Sequence, residues 1–192
     1  MKLTKWIKPG ILALALLVTP SMAIEIAPEL GVGYFVGENS DNLDAGDKLG
    51  FPVVGAKVLF PITSVGVASL SAGAWGGYVA LYSTEEETFF GKVETSLRTI
   101  PILAMAEADF GPAFADLGVG VNLWKSTVDF AGNKGSNDDV DFALLIRAGA
   151  AIPVLPGLQI SASFFLMNAS SDGGDSVGIS TTALTVGYSF GL

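Results

Sequence analysis

GISTTALTVGYSFGL, residues 178–192, decides how the rest of the chain is read. Taken every second residue, Thr182, Leu184, Val186, Tyr188, Phe190 and Leu192 form one row, apolar and aromatic toward its end. Ile179, Thr181, Ala183, Thr185, Gly187, Ser189 and Gly191 form the other, mostly small or polar. A period of two is what a strand produces, because successive side chains point to opposite faces. The large apolar residues belong outside here, since the second row is too small and polar for an ordinary core. A wall facing lipid around a crowded interior accounts for both rows.

The same alternation starts at residue 24. Ile26, Leu30, Val32, Tyr34 and Val36 make one face; Glu25, Ala27, Glu29, Gly31, Gly33 and Phe35 make the other. The second strand resumes near Phe51 with Val54, Ala56, Val58 and Phe60 outside, Gly55 and Lys57 inside, and a stop at Pro61, which cannot donate to a ladder. The third ends near Tyr82, with Trp75 inside and Tyr78 and Tyr82 outside. Residues 92–109 hold the fourth. Its polar row of Lys92, Glu94, Ser96 and Arg98 loses its assignment after Ile100-Pro101, and a β-bulge at residues 98–101 would repair the register. Strands five to seven alternate cleanly, with Asp116, Asp141, Arg147 and Ser161 on inward rows. Residues 38–50, 83–91, 127–139 and 169–177 read as polar loops, and short turns marked by Pro61, Gly111-Pro112 and Pro153 alternate with them. The sequence therefore predicts an all-β chain: an eight-stranded antiparallel up-and-down transmembrane β-barrel over residues 24–192.

Residues 1–23 carry Lys2, Lys5 and Lys8, an apolar run at 11–18, and Ser21-Met22-Ala23. That is the pattern of a signal peptide cleaved after Ala23, too short in its apolar part for a bilayer of roughly 30 Å. Its removal leaves 7 of the 10 basic residues against all 19 acidic ones, net −12. Such a surface excludes nucleic acid as a partner. Without cysteine there is no disulfide or thiolate chemistry. Without histidine there is no imidazole base and no His metal ligand, so an enzyme is not expected, nor a cofactor or metal.

The ending also resembles the insertion signal of bacterial outer-membrane barrels, carried by Thr185, Gly187, Phe190 and Leu192, with Leu192 standing where that family usually has an aromatic. The whole of residues 24–192 resembles the small eight-stranded barrels of the OmpA and OmpX type. The resemblance implies a monomer in the bacterial outer membrane, in contact with lipid and lipopolysaccharide and inserted by the barrel-assembly machinery.

Two other architectures compete. Residues 58–82 and 148–171 are free of charge and long enough for membrane helices, but Pro61, Pro153, Pro156 and the period-two rows oppose a helix. A soluble sandwich would bury the large row; a mean hydropathy of +0.54 favours lipid outside.

The candidate functional residues follow from the rows. Glu29, Lys57, Asp116, Arg147 and Asp141 bring charge into a lumen narrow enough to be filled by side chains, where opposite charges must pair. They form either a plug or a gate. Trp75, Trp124, Phe35 and Phe165 fill the lumen or line a ligand pocket. Tyr34, Tyr78, Tyr82, Tyr188 and Phe190 suit interfacial aromatic girdles. Asp41, Asp44, Asp47, Glu85, Glu86, Glu87, Asp138, Asp139, Asp172 and Asp175 make the loops acidic and available to an extracellular ligand, without EF-hand spacing. The expected role is structural or surface-interactive and adhesion-like, with a narrow passive pore or lateral-opening transporter as the alternative.

Overall fold

A computed structural model describes residues 24–37, 47–89, 91–170 and 176–192. The signal segment, Asp41, Asp44, Asp172 and Asp175 lie outside the described residues. The elements are β1 (Glu25–Phe35), β2 (Leu49–Val65), β3 (Ala68–Thr88), β4 (Gly91–Asp109), β5 (Ala113–Phe130), β6 (Asn133–Ala151), β7 (Leu158–Ser170), β8 (Ser176–Gly178), β9 (Thr181–Tyr188) and β10 (Phe190–Gly191).

Every ladder is antiparallel between neighbours from β1 to β7. The eighth stave is assembled from three pieces: β8 and β9 pair with β7, and β9 and β10 pair with β1. Glu25 opposite Gly191 and Phe35 opposite Thr181 close the ring, so no edge is left in the wall. The quoted C-terminal stretch is thus the stave that seals the barrel. Its rows fall as the alternation requires: Leu184, Val186 and Tyr188 are exposed, Thr181, Ala183 and Thr185 buried. Around the ring, Leu30, Val54, Phe60, Ile102, Leu117, Val121, Phe142, Ile146, Ile160 and Leu166 are all exposed apolar side chains. Exposed residues of this size in such numbers form a lipid-facing belt. Among the described residues no helix is long and apolar enough to cross a membrane.

Four expectations are corrected. Pro61 does not end β2: the strand runs on to Val65, with the register shifting between Pro61 and Thr63, where a bulge absorbs the missing donor. The bulge expected at 98–101 is absent from β4, whose register against β5 is unbroken from Val93 opposite Phe130 to Asp109 opposite Phe114. It lies across the ladder instead, between Ala80 and Tyr82 of β3. Within the loops expected at 83–91 and 127–139, residues 83–88, 91, 127–130 and 133–139 are paired strand instead. They extend the paired strands to Thr88 opposite Gly91 and to Phe130 opposite Asn133, the latter across a turn at Ala131 and Gly132, both at positive φ. A hairpin ladder satisfies backbone groups in water as well as in lipid, so polar composition does not end these strands.

This extension explains the obscure row of β4. Lys92, Glu94, Ser96 and Arg98 face the same outer side as Ile100, Ile102, Ala104 and Ala106. The face stays constant and its surroundings change. Ile100, Leu123 and Val140 lie in register across β4, β5 and β6, and the next outward row is Arg98, Lys125 and Asp138. The belt ends between these two rows.

Candidate functional site: the charged lumen

The inward rows bring together residues far apart in the chain. Lys57 on β2 is 1 % exposed and its ammonium bonds the Glu107 carboxylate on β4, with Asp116 Oδ2 of β5 at 3.9 Å. Arg147 on β6 donates from Nε to Asp116 Oδ2 at 2.5 Å and from Nη1 to Glu29 Oε2 on β1 at 2.6 Å. Trp75 on β3 donates its indole N–H to the other Glu29 oxygen at 2.6 Å. Lys57 Nζ also sits 4.4 Å from the centroid of the Phe114 ring. Six strands thereby tie one network across the lumen.

Closure of the ring brings Glu29, Lys57, Asp116 and Arg147 together. Asp141 is not part of the group: its carboxylate accepts from Trp124 Nε1 at 2.9 Å, in a separate polar contact nearer the belt's charged edge. Glu107 was missed. The signal was present, since Thr99, Pro101, Leu103, Met105 and Glu107 form one buried row. Pro101 hides that row, because a proline inside a strand reads as a break. Pro101 is instead tolerated inside β4 because the β3 ladder skips Gly77 and Tyr78, pairing Gly76 with Ile102 and then Val79 with Thr99.

Three carboxylates face two cations in this group. Among the described residues, Asp116 Oδ1, Arg147 Nη2, Thr99 Oγ1 and the two amide atoms of Asn122 have no hydrogen-bond partner. Opposite charges are held this close with side chains at most 7 % exposed; Lys57–Glu107 and Arg147–Glu29 act as cross-struts between strands that do not touch in the wall, and Arg147–Asp116 links the paired strands β5 and β6.

Toward the long-hairpin end, the buried residues among those described carry no charge. Phe35, Val53, Val79, Leu81, Leu97, Phe165, Met167 and Ile179 fill that half of the lumen. Trp75 and Phe165 stack obliquely with centroids 5.4 Å apart, and Trp124 is buried in the same core, so these aromatics are filling. Tyr82 belongs with them. Expected in the outer girdle, it packs against this core with its ring 5.2 Å from Phe35, because the bulge in β3 shifts the alternation before it. Tyr34, Tyr188 and Phe190 stand on the outer face. Tyr78 borders a groove of about 410 Å³ with Arg98, Lys125 and Asp138 at the belt's edge. Of the C-terminal residues, Thr185 is buried with its hydroxyl 2.6 Å from Ser161, Gly187 lies opposite Glu29, and Phe190 and Leu192 are exposed.

The remaining acidic residues decorate the hairpins. Lys92 donates to Glu85 at 2.7 Å and Glu94 at 2.6 Å, which holds its ammonium above the usual lysine range. Lys134 meets Asp129 at 3.5 Å. Among the described residues no group of His, Cys, Asp and Glu could hold a metal ion.

An antiparallel ring of eight staves, apolar outside and cross-strutted by charge inside, defines a small transmembrane β-barrel. No family model matches the chain, and no curated protein is similar to it in sequence. Solved structures with the same fold include Ail, the attachment invasion locus protein of Yersinia pestis, seen in complex with the heparin analogue sucrose octasulfate. It shares 15 % identity at a TM-score of 0.58, over 88 % of this chain and 100 % of that one. Neisserial surface protein A matches at 15 % identity and a TM-score of 0.51, over 86 % and 95 %. The N-terminal β-barrel domain of Pseudomonas aeruginosa OprF matches at 11 % and 0.50, over 86 % and 97 %. The chain has the fold of the small outer-membrane β-barrels.

Proposed function

We propose that this protein is an integral protein of the bacterial outer membrane, not an enzyme, whose lumen is closed and whose work is surface contact. One observation carries the reading. Beyond the belt, β3 to β6 continue as a four-stranded sheet, and residues 133–138 of β6 have no strand partner on the β7 side among the described residues, since that ladder begins at Ala143. An open sheet edge held out by a rigid barrel is a template for an extended segment of another chain.

The edge has a defined chemistry. The Val140 N–H is taken by its neighbour Asp139 at 2.7 Å and so points away from β5. By the antiparallel alternation, the Ser136 and Asp138 N–H groups point the same way. Glu85, Glu87, Glu94, Asp129 and Asp138 share the sheet's outer face with Lys92, Arg98, Lys125 and Lys134, so that face is of mixed charge and the edge's backbone donors define the contact.

The lumen supports the closed reading twice over, by the charged struts and by the uncharged layer above them. Whole cells displaying the protein test the contact role by adhesion to host-matrix or bacterial surfaces. Ser136→Pro removes an edge donor without touching the β5 ladder and is expected to reduce adhesion while leaving heat-modifiable gel mobility intact. Unchanged adhesion in cells that display the variant at wild-type level would overturn the edge as the contact site. The alternative, a narrow pore, requires steady current in planar bilayers.

A further inference from the structure

The end of the barrel opposite the hairpins carries an unusual rim. The β2–β3 turn exposes Val65 and Val67 at 78 % and 88 %, the β4–β5 turn exposes Phe110 at 55 %, and the β6–β7 turn exposes Val154 and Leu155 at 83 % and 54 %. Leu192 adds a sixth apolar side chain, 71 % exposed, where the last stave meets β1. None of residues 61–68, 110–113 or 152–158 is charged. Asp109 and Glu25, the acids nearest this end, belong to inward rows, where Asp109 accepts from the Gly111 N–H at 2.7 Å and Glu25 from Gln159 at 3.5 Å.

The placement of these tips decides what they meet. They sit at every second gap of the ring, on all sides of the axis. A protein-docking patch is one-sided, whereas tips on all sides of the axis meet a surrounding leaflet equally. The belt's length points the same way. A tilted strand needs about 9–11 residues to cross the hydrocarbon layer. From the last apolar row, Ile100, Leu123 and Val140, about ten residues reach Asp109, Phe114 and Gly149, which are themselves in register and adjoin the turns. The strands below the charged row are no longer than the layer they span.

We propose that the short-turn rim is a lipid-embedded surface, with Val65, Val67, Phe110, Val154 and Leu155 seated at the boundary of acyl chains and headgroups of the adjacent phospholipid leaflet. It rests on the membrane residence proposed above and adds where the membrane stops. The turns are held for this by hydrogen bonds to neighbouring staves, Ala151 N–H to Pro112 at 2.7 Å and Ser189 N–H to Gly157 at 2.7 Å, so the tips form a fixed collar. The partner is a phospholipid surface, and the collar sets how far the opposite sheet stands out.

The absence of cysteine makes the test clean. Single variants Val67→Cys and Val154→Cys carry an environment-sensitive fluorophore, with Val119→Cys in mid-belt and Asn133→Cys at a hairpin tip as references. Each is folded into phosphatidylethanolamine–phosphatidylglycerol vesicles with iodide on both sides. The expected result is blue-shifted emission at 67 and 154, quenched by a quencher carried on the lipid chains and spared by iodide, as at 119 and unlike 133. Iodide-accessible tips beside a lipid-buried 119 overturn the proposal alone; an aqueous 119 overturns membrane residence with it. Protection that vanishes on diluting protein in lipid means a second copy covers the rim, which also overturns it. Val65→Cys and Leu155→Cys replace any variant whose gel mobility shows it unfolded.

Discussion

Lys57→Met takes one cation out of the lumen and leaves its hydrocarbon volume nearly unchanged. Lys57 is 1 % exposed, and its partners Glu107 and Asp116 are 5 % and 4 % exposed, so solvent does little to replace it. The group goes from three carboxylates and two cations to three and one, with Glu107 facing Asp116 directly across the β4–β5 ladder. Removing one member of a buried pair costs about 3–5 kcal/mol, mostly through the charge left behind. With a urea slope of about 2 kcal/mol per molar, the unfolding midpoint drops by roughly 1.5–2.5 M. The double variant Lys57→Met/Glu107→Leu removes both partners and restores the original imbalance of one, so it should return to within about 1 kcal/mol of the parent. Unfolding in micelles, followed by gel mobility and tryptophan emission, measures both. A single variant costing under about 1 kcal/mol, or a double as unstable as the single, would falsify the view that these charges are buried struts.

Arg147→Ala cuts the struts to Asp116 and Glu29 but leaves the uncharged layer of Val79, Leu81, Leu97 and Met167 in place. It is expected to lose stability without opening the lumen, whereas Leu81→Ser/Leu97→Ser wets the layer and should introduce current in planar bilayers. Trp75→Phe deletes the indole bond to Glu29 and should lower unfolding stability by about 1.5–3 kcal/mol, the range for hydrogen bonds to charged groups. Gly120→Ala places a Cβ about 2.1 Å from the Ile102 carbonyl oxygen on the inward side, while Gly76→Ala, facing outward, meets only Pro101 O at 4.0 Å. The first should cost about 1–3 kcal/mol by overpacking and the second almost nothing, read from the temperature at which heat-modifiable mobility is lost.

The alternation made the strands, their faces and their number legible, because side-chain direction in a strand depends only on its own backbone. Leu184 and Val186 out, Thr185 in, and Lys57, Asp116 and Arg147 in, all follow from that local rule. The rule fails where something outside the strand intervenes. Tyr82 follows a bulge and turns inward. The β4 row goes polar because it leaves lipid, which no periodicity records. Residues 83–88, 127–130 and 133–139 extend the sheet because their partners run on beside them.

Which charges meet was settled only by closure. Arg147 reaches Glu29 across 118 residues of chain, and Lys57 reaches Glu107 across 50. Those encounters depend on the stagger accumulated around eight staves, to which each bulge contributes, and no single strand contains it. The sequence by itself determined a greasy outside and a charged inside. The ring alone decided that Glu107 joins the network, that Asp141 turns to Trp124, and that the turn tips are spread around one end of the barrel.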